Sequence, residues 1–193
     1  PEGAVAPSLV WSMKDSVEQG EPLEVKIAFK NVSETTFDSL MRVKLSITDQ
    51  LNNQQNLDIP PRKILVSGDT LIVEYTIDSR LFPGNNTLFI DFNPANHQQE
   101  QFHFNNILYK NFYVRSDKFN PLLDVTFDGV HILNRDIVSS KPFIHIELKD
   151  ESRFMALNDT ALLSVKLKYP DQAIRTFQFG DTLRFYPADL SSG

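Results

Sequence analysis

The sequence contains no cysteine, which excludes disulfides, a thiol nucleophile and the common structural zinc cages. The compartment stays open, because a domain of about 100 residues can bury a sufficient core without covalent staples. Long apolar runs are also missing. None approaches the roughly 18 residues of a membrane helix, so no membrane-spanning helix is expected, and no basic-then-apolar signal opens the chain. Positive charge is scarce: 19 Lys and Arg against 25 Asp and Glu give a formal net charge of −6. The lysines are dispersed along strand-like segments, which excludes a general grip on nucleic acid. No cofactor motif and no catalytic constellation stands out, so no cofactor is expected. The chain opens at Pro1 and closes at Ser191-Ser192-Gly193, as expected of a piece of a longer polypeptide.

What is present is alternation. With 41% hydrophobic residues and 15 Phe among 193 residues, the chain can build cores. Leu23, Val25, Ile27 and Phe29 alternate with Glu24, Lys26, Ala28 and Lys30; Val43, Leu45 and Ile47, then Val73, Tyr75 and Ile77, repeat the pattern. A period of two puts one face on a core and the other in water. Turn chemistry separates the runs at Gln19-Gly20-Glu21-Pro22, Ser67-Gly68-Asp69 and Phe82-Pro83-Gly84-Asn85. The Asn- and Gln-rich stretch Asp49 to Asp58 is expected to be a loop. Short strands with turns at this spacing predict an immunoglobulin-like β-sandwich.

The pattern breaks at Ser116-Asp117-Lys118-Phe119-Asn120-Pro121 and a second series follows. It comprises Leu123, Val125 and Phe127; Ile144, Ile146 and Leu148; Leu163, Val165 and Leu167; and Phe177, Phe179, Leu183 and Phe185. The fold class predicted is all-β: two tandem antiparallel immunoglobulin-like sandwiches over 1–116 and 122–193, joined by a linker at 117–121. About six strands are visible in the second where a sandwich usually has seven or more, so it is expected to be incomplete at its C-terminal end. Its cover is expected to be the remainder of the same polypeptide or a protein partner.

Two stretches carry family resemblances. Lys30-Asn31-Val32-Ser33, Ser67-Gly68-Asp69 and the series Asp91-Phe92-Asn93, Glu100, Phe104-Asn105-Asn106 resemble the cell-adhesion-related domain of bacteria (CARDB), an immunoglobulin-like sandwich. Leu122 to Val130, Asp136-Ile137-Val138-Ser139, Lys149-Asp150-Glu151 and Leu157-Asn158-Asp159-Thr160 are similar to a β-sandwich near the C-terminal end of large Bacteroidota surface proteins of the type IX secretion system. Many of those carry a gingipain-type cysteine peptidase domain upstream. The resemblance implies export to the cell surface or beyond, by way of the periplasm, and a spacer, stalk or docking role. It brings no peptidase residue to this chain.

Candidate sites are few. His97, His103, His131 and His145 lack a second His at ligand spacing and read as surface or strand histidines. Asp124, Asp128 and Asp136, with Asp150, Glu151 and Asp159, offer hard oxygens for calcium, but solvated turns and Asx caps account for them without it. Phe102, Phe104, Tyr109, Phe112 and Tyr113 offer an aromatic platform for sugars; alternation puts Phe102 and Phe104 on one strand face and favours core packing. Trp11 reads as a core anchor. A tripeptide of Asp, Ser or Thr, then an apolar residue recurs around Ser16, Ser39, Thr70, Thr160 and Thr182. It resembles the O-glycosylation acceptor pattern of exported Bacteroidota proteins, and it is also how a strand begins.

Overall fold

The computed structural model describes residues 1–169, 171–180 and 182–188. Pro170, Asp181 of the last acceptor tripeptide and the terminal Ser191-Ser192-Gly193 lie outside the described residues. The chain divides into two compact units, Pro1–Asp117 and Lys118–Gly193.

The first unit is a sandwich of two sheets. In one, β4 (Pro22–Asn31) pairs antiparallel with β7 (Thr70–Asp78) on one edge; its other edge is shared by β1 (Gly3–Val5) and β2 (Trp11–Ser12). The other sheet has five strands in the order β3 (Ser16–Glu18), β9 (Ile107–Arg115), β8 (Gly84–Phe92), β5 (Val43–Asp49) and β6 (Gln54–Leu57). All its pairs are antiparallel except β3 with β9, which run parallel from Ser16↔Tyr113 to Glu18↔Arg115. The N-terminal segment thus starts on one sheet and crosses to the other.

Period-two alternation produces this core. Leu23, Val25, Ile27 and Phe29 of β4 face Leu45, Ile47, Leu88, Ile90, Phe112 and Val114 of the opposite sheet, all buried. The ring of Phe29 stacks on Phe92 across the sandwich at 4.5 Å between centroids and meets Phe37 at 6.4 Å. Gly3 is dictated by this cluster, because a Cβ there would lie 2.2 Å from Phe29 Cζ. Trp11 packs against the core while partly exposed. Among the described residues no helix is long and apolar enough to cross a membrane.

Two expectations fail here. The stretch Asp49 to Asp58 is not all loop: Gln54–Leu57 forms β6 against β5, with Gln54 Nε2 donating to the buried Ser46 hydroxyl at 3.0 Å. An edge strand with one wet face needs few apolar residues, so polarity alone did not exclude it. Phe102 and Phe104 share no strand. Phe104 opens a 3-10 turn, Phe104–Asn106, and lies 77% exposed, its ring edge-on to Phe102 at 5.7 Å.

The second unit is also all β. β10 (Leu122–Phe127) pairs antiparallel with β11 (Ile144–Lys149), and β12 (Val165–Lys168) with β13 (Ile174–Phe177). Asp128 and Gly129, at φ 50° and 82°, are the centre of a two-residue turn closed by reciprocal bonds between Phe127 and Val130, the geometry that Asp-Gly favours. None of its described residues is buried.

Candidate functional site

The residues that carry the first family resemblance converge on one end of the first unit. Asn93, in the left-handed region at φ 57° that Asn tolerates, turns the chain out of β8. Its Oδ1 accepts from the Gln98 backbone N–H at 2.8 Å, and its Nδ2 donates to the Gln98 carbonyl at 2.6 Å. Gln98 repeats the device, accepting from Ser39 N–H and donating to Ser39 C=O at 2.9 and 3.2 Å. Each amide stands in for a strand neighbour. Glu100 accepts from Gly3 N–H at 2.7 Å, from Asn106 Nδ2 at 2.8 Å and from Asn93 Nδ2. Glu2 accepts in turn from Gln101 and Phe102 backbone N–H and from Asn105. The Lys30–Ser33 stretch works alike: buried Asn31 donates to the carbonyls of Thr35 and Leu65 and accepts from Ser33. Networks of this kind fix loop geometry, although Oδ1 of Asn105 and Oδ1 of Asn106 are buried without a hydrogen-bond partner. They hold loops to strands.

His103 belongs to this end, with Nε2 at 2.9 Å from Asp91 Oδ1, an oxygen that otherwise lacks a partner. Burial pushes the Asp91 carboxyl above its ordinary value, against the opposing pull of His103. His97 and His145 are exposed, and His131 sits 2.7 Å from Asp124, whose carboxyl it holds below the usual range. Asp128 accepts from Ser139 Oγ and Phe143 N–H, Asp136 from Leu133 N–H, Asp150 from Ser152 N–H and Asp159 from Ala161 N–H. These acids cap turns. Among the described residues no group of three or more His, Asp or Glu could hold a metal ion.

The acceptor positions are scattered. Ser16 opens β3 and Thr70 opens β7, Ser39 lies in a loop, and Thr160 opens a 3-10 turn, Thr160–Leu162. Ser16 and Thr182 are exposed; Ser39, Thr70 and Thr160 are half-buried.

The five aromatics do not form one platform. Phe112 is in the core, Phe102 and Phe104 are on the loop before β9, and Tyr109 and Tyr113 share the outer face of β9. Near them lies the feature that alternation could not reveal, an open groove of about 460 Å3 on the outer side of the five-stranded sheet. Asp15, Thr48, Gln50, Asn85, Asn111 and Tyr113 are among its lining residues. It draws on the β2–β3 link, β5, β8, β9 and the turn after β5, which only the fold brings together. Asp49 pins that turn: Oδ1 accepts from Leu51 and Asn53 backbone N–H and Oδ2 from Asn53 Nδ2. The bonds from Asn53 hold the Asp49 carboxyl below its ordinary value.

No protein-family model matches the chain, and no curated protein matches it. Among solved structures, the chain is similar to the crystal structure of the CARDB domain of the PF1109 protein from Pyrococcus furiosus in complex with di-metal ions. The identity is 14% and the TM-score 0.43, over 58% of this chain and 85% of that one. The solution structure of the same domain gives 14% identity and a TM-score of 0.45, over 59% of this chain and 93% of that one. The alkylpurine DNA glycosylase AlkC of Pseudomonas fluorescens, bound to DNA, follows at 10% identity and a TM-score of 0.44, over 59% of this chain and 30% of that one. These are distant likenesses.

Proposed function

We propose that the chain is a pair of non-catalytic structural and interaction modules, a spacer, stalk or docking segment of a large exported surface protein. The observation that carries this reading is the use made of its most distinctive polar residues. Asn31, Asn93, Gln98, Glu100 and Asn106 tie loops to strands, so the conspicuous chemistry is spent on holding a shape. The absence of Cys from the sequence leaves no thiolate for a peptidase of the cysteine class. The sequence resemblances extend the reading: a CARDB-like module, then a sandwich of the kind found in Bacteroidota type IX secretion cargo, downstream of a gingipain-type peptidase domain in the parent. Partners on this view are proteins or the remainder of the same polypeptide. Ser16 and Thr182 are the best-exposed of the five candidate glycosylation acceptors.

Incubating the purified chain with a peptide library is expected to yield no cleavage, and turnover would overturn the reading. Fractionation of the producing cells is expected to recover the parent protein at the surface or in the medium. Intact-mass analysis of that material tests the acceptor serines and threonines.

A further inference from the structure

We propose that the groove on the outer face of the five-stranded sheet binds a neutral oligosaccharide. It lies across β5, β8 and β9, whose backbone groups are committed to the sheet ladder, so a ligand there is read by side chains. A peptide added as an extra strand would need a free edge instead. The side chains offered are mostly amides and hydroxyls, from Thr48, Gln50, Asn85 and Asn111, groups that donate and accept as sugar hydroxyls do. No Lys or Arg is among the lining residues, and nearby Lys110 is engaged by Asp15. Phosphate, sulfate and nucleic acid would lack the cations they require.

Aromatic surface completes the argument. Tyr113 lines the groove, and Tyr109 lies four residues back on the same face of β9, about 14 Å away at the strand rise of about 3.4 Å per residue. Phe89 packs against Tyr109 at 4.9 Å. Flat, amphipathic rings in line suit the apolar faces of separated pyranose units along one extended chain. The polar wall is held in advance: Thr87 Oγ1 donates to Asn111 Oδ1 at 2.9 Å. Gln50 lies over Gly84, where a Cβ would come within 2.6 Å of its Oε1. Buried Asn86, also lining the groove, leaves Oδ1 without a hydrogen-bond partner. A side chain already tied down, as Asn111 is by Thr87, loses little entropy on binding.

The inference rests on the interaction-module reading in one respect, that the ligand is held and not converted. The test is calorimetric titration of the chain, and of Asn111→Ala, Tyr113→Ala and Phe104→Ala, with cellohexaose, xylohexaose, mannohexaose and chitohexaose. Chromatography follows the sugars, and circular dichroism checks that each exposed-site variant folds. At least one hexasaccharide is expected to bind with little dependence on salt, tenfold or more weaker in Asn111→Ala and Tyr113→Ala and unchanged in Phe104→Ala. Absence of binding to all of these sugars, indifference to both groove variants, or loss in Phe104→Ala instead overturns the site. Shortening of a bound hexasaccharide would leave the groove standing and overturn the non-catalytic reading.

Discussion

The two units have the same grammar and different outcomes. In β4, Leu23, Val25, Ile27 and Phe29 are all buried; in β10, Leu123 is 58% exposed and Val125 and Phe127 are only half-buried. Alternation is equally regular in both. The difference is what stands opposite. β4 lies in a sheet faced by five strands, whereas among the described residues β10 has one ladder partner, and a lone two-stranded ribbon is marginal in water. Period two states which face can pack and says nothing of whether a second layer exists.

The largest effect that would break this comparison is in hydrogen exchange. Amides of β4, β5 and β8 are expected to be protected by orders of magnitude over those of β10 to β13, because protection scales with the opening free energy of the unit. Equal protection in the two units would show that the second has a core as good as the first. Next comes truncation of an anchor in each. Phe29→Ala removes the ring that stacks on Phe92 and is expected to cost about 3–5 kcal/mol in urea unfolding. Ile137→Ala, at a side chain 99% exposed, is expected to stay within about 0.5 kcal/mol.

A smaller effect tests the loop lock. Glu100→Ala strips the acceptor from Gly3 N–H, Asn93 Nδ2 and Asn106 Nδ2. It is expected to cost about 1–3 kcal/mol, the penalty of stranding buried donors, with exchange quickening first in β1 and in residues 93–106. The smallest effect is in acid. Asp49 binds its proton at lower pH in the folded chain than in the unfolded one. Its contribution is therefore present above the ordinary Asp range and lost as pH falls through that range toward the depressed value. Asp49→Asn is expected to flatten the acid limb of the first unit's stability curve. Asp124 is depressed as well, by His131, yet Asp124→Asn is expected to leave the main acid transition in place, since none of the described residues around it is buried.

Strands that build the first core were legible from alternation alone: β4, β5 and β7 follow the runs that predict them. β6 was hidden because an edge strand of Gln, Gln, Asn and Leu carries little apolar signal. Phe102 and Phe104 misled because aromatic alternation across three residues looks like a strand, and the 3-10 turn there is set by Glu2 and Glu100, about 100 positions from one another. The paired Asn105-Asn106 was visible as a pattern, but its work depends on distant acceptors. The groove was invisible for the same reason: its lining residues come from four separate stretches between Asp15 and Tyr113, and only the strand order makes them neighbours.

The parallel pairing of β3 with β9 has a mechanical consequence. These are an early and the last strand of the first unit, and Gln19 N–H extends the pairing by bonding the Arg115 carbonyl at 2.9 Å. Once β1 and β2 have come away from β4, a pull that separates the two ends of this unit would slide β3 along β9 in opposite directions. The bonds between them lie across the line of tension and must rupture together. An antiparallel terminal hairpin would instead unzip one bond at a time. A unit wired in this way resists stretching better than one closed by such a hairpin.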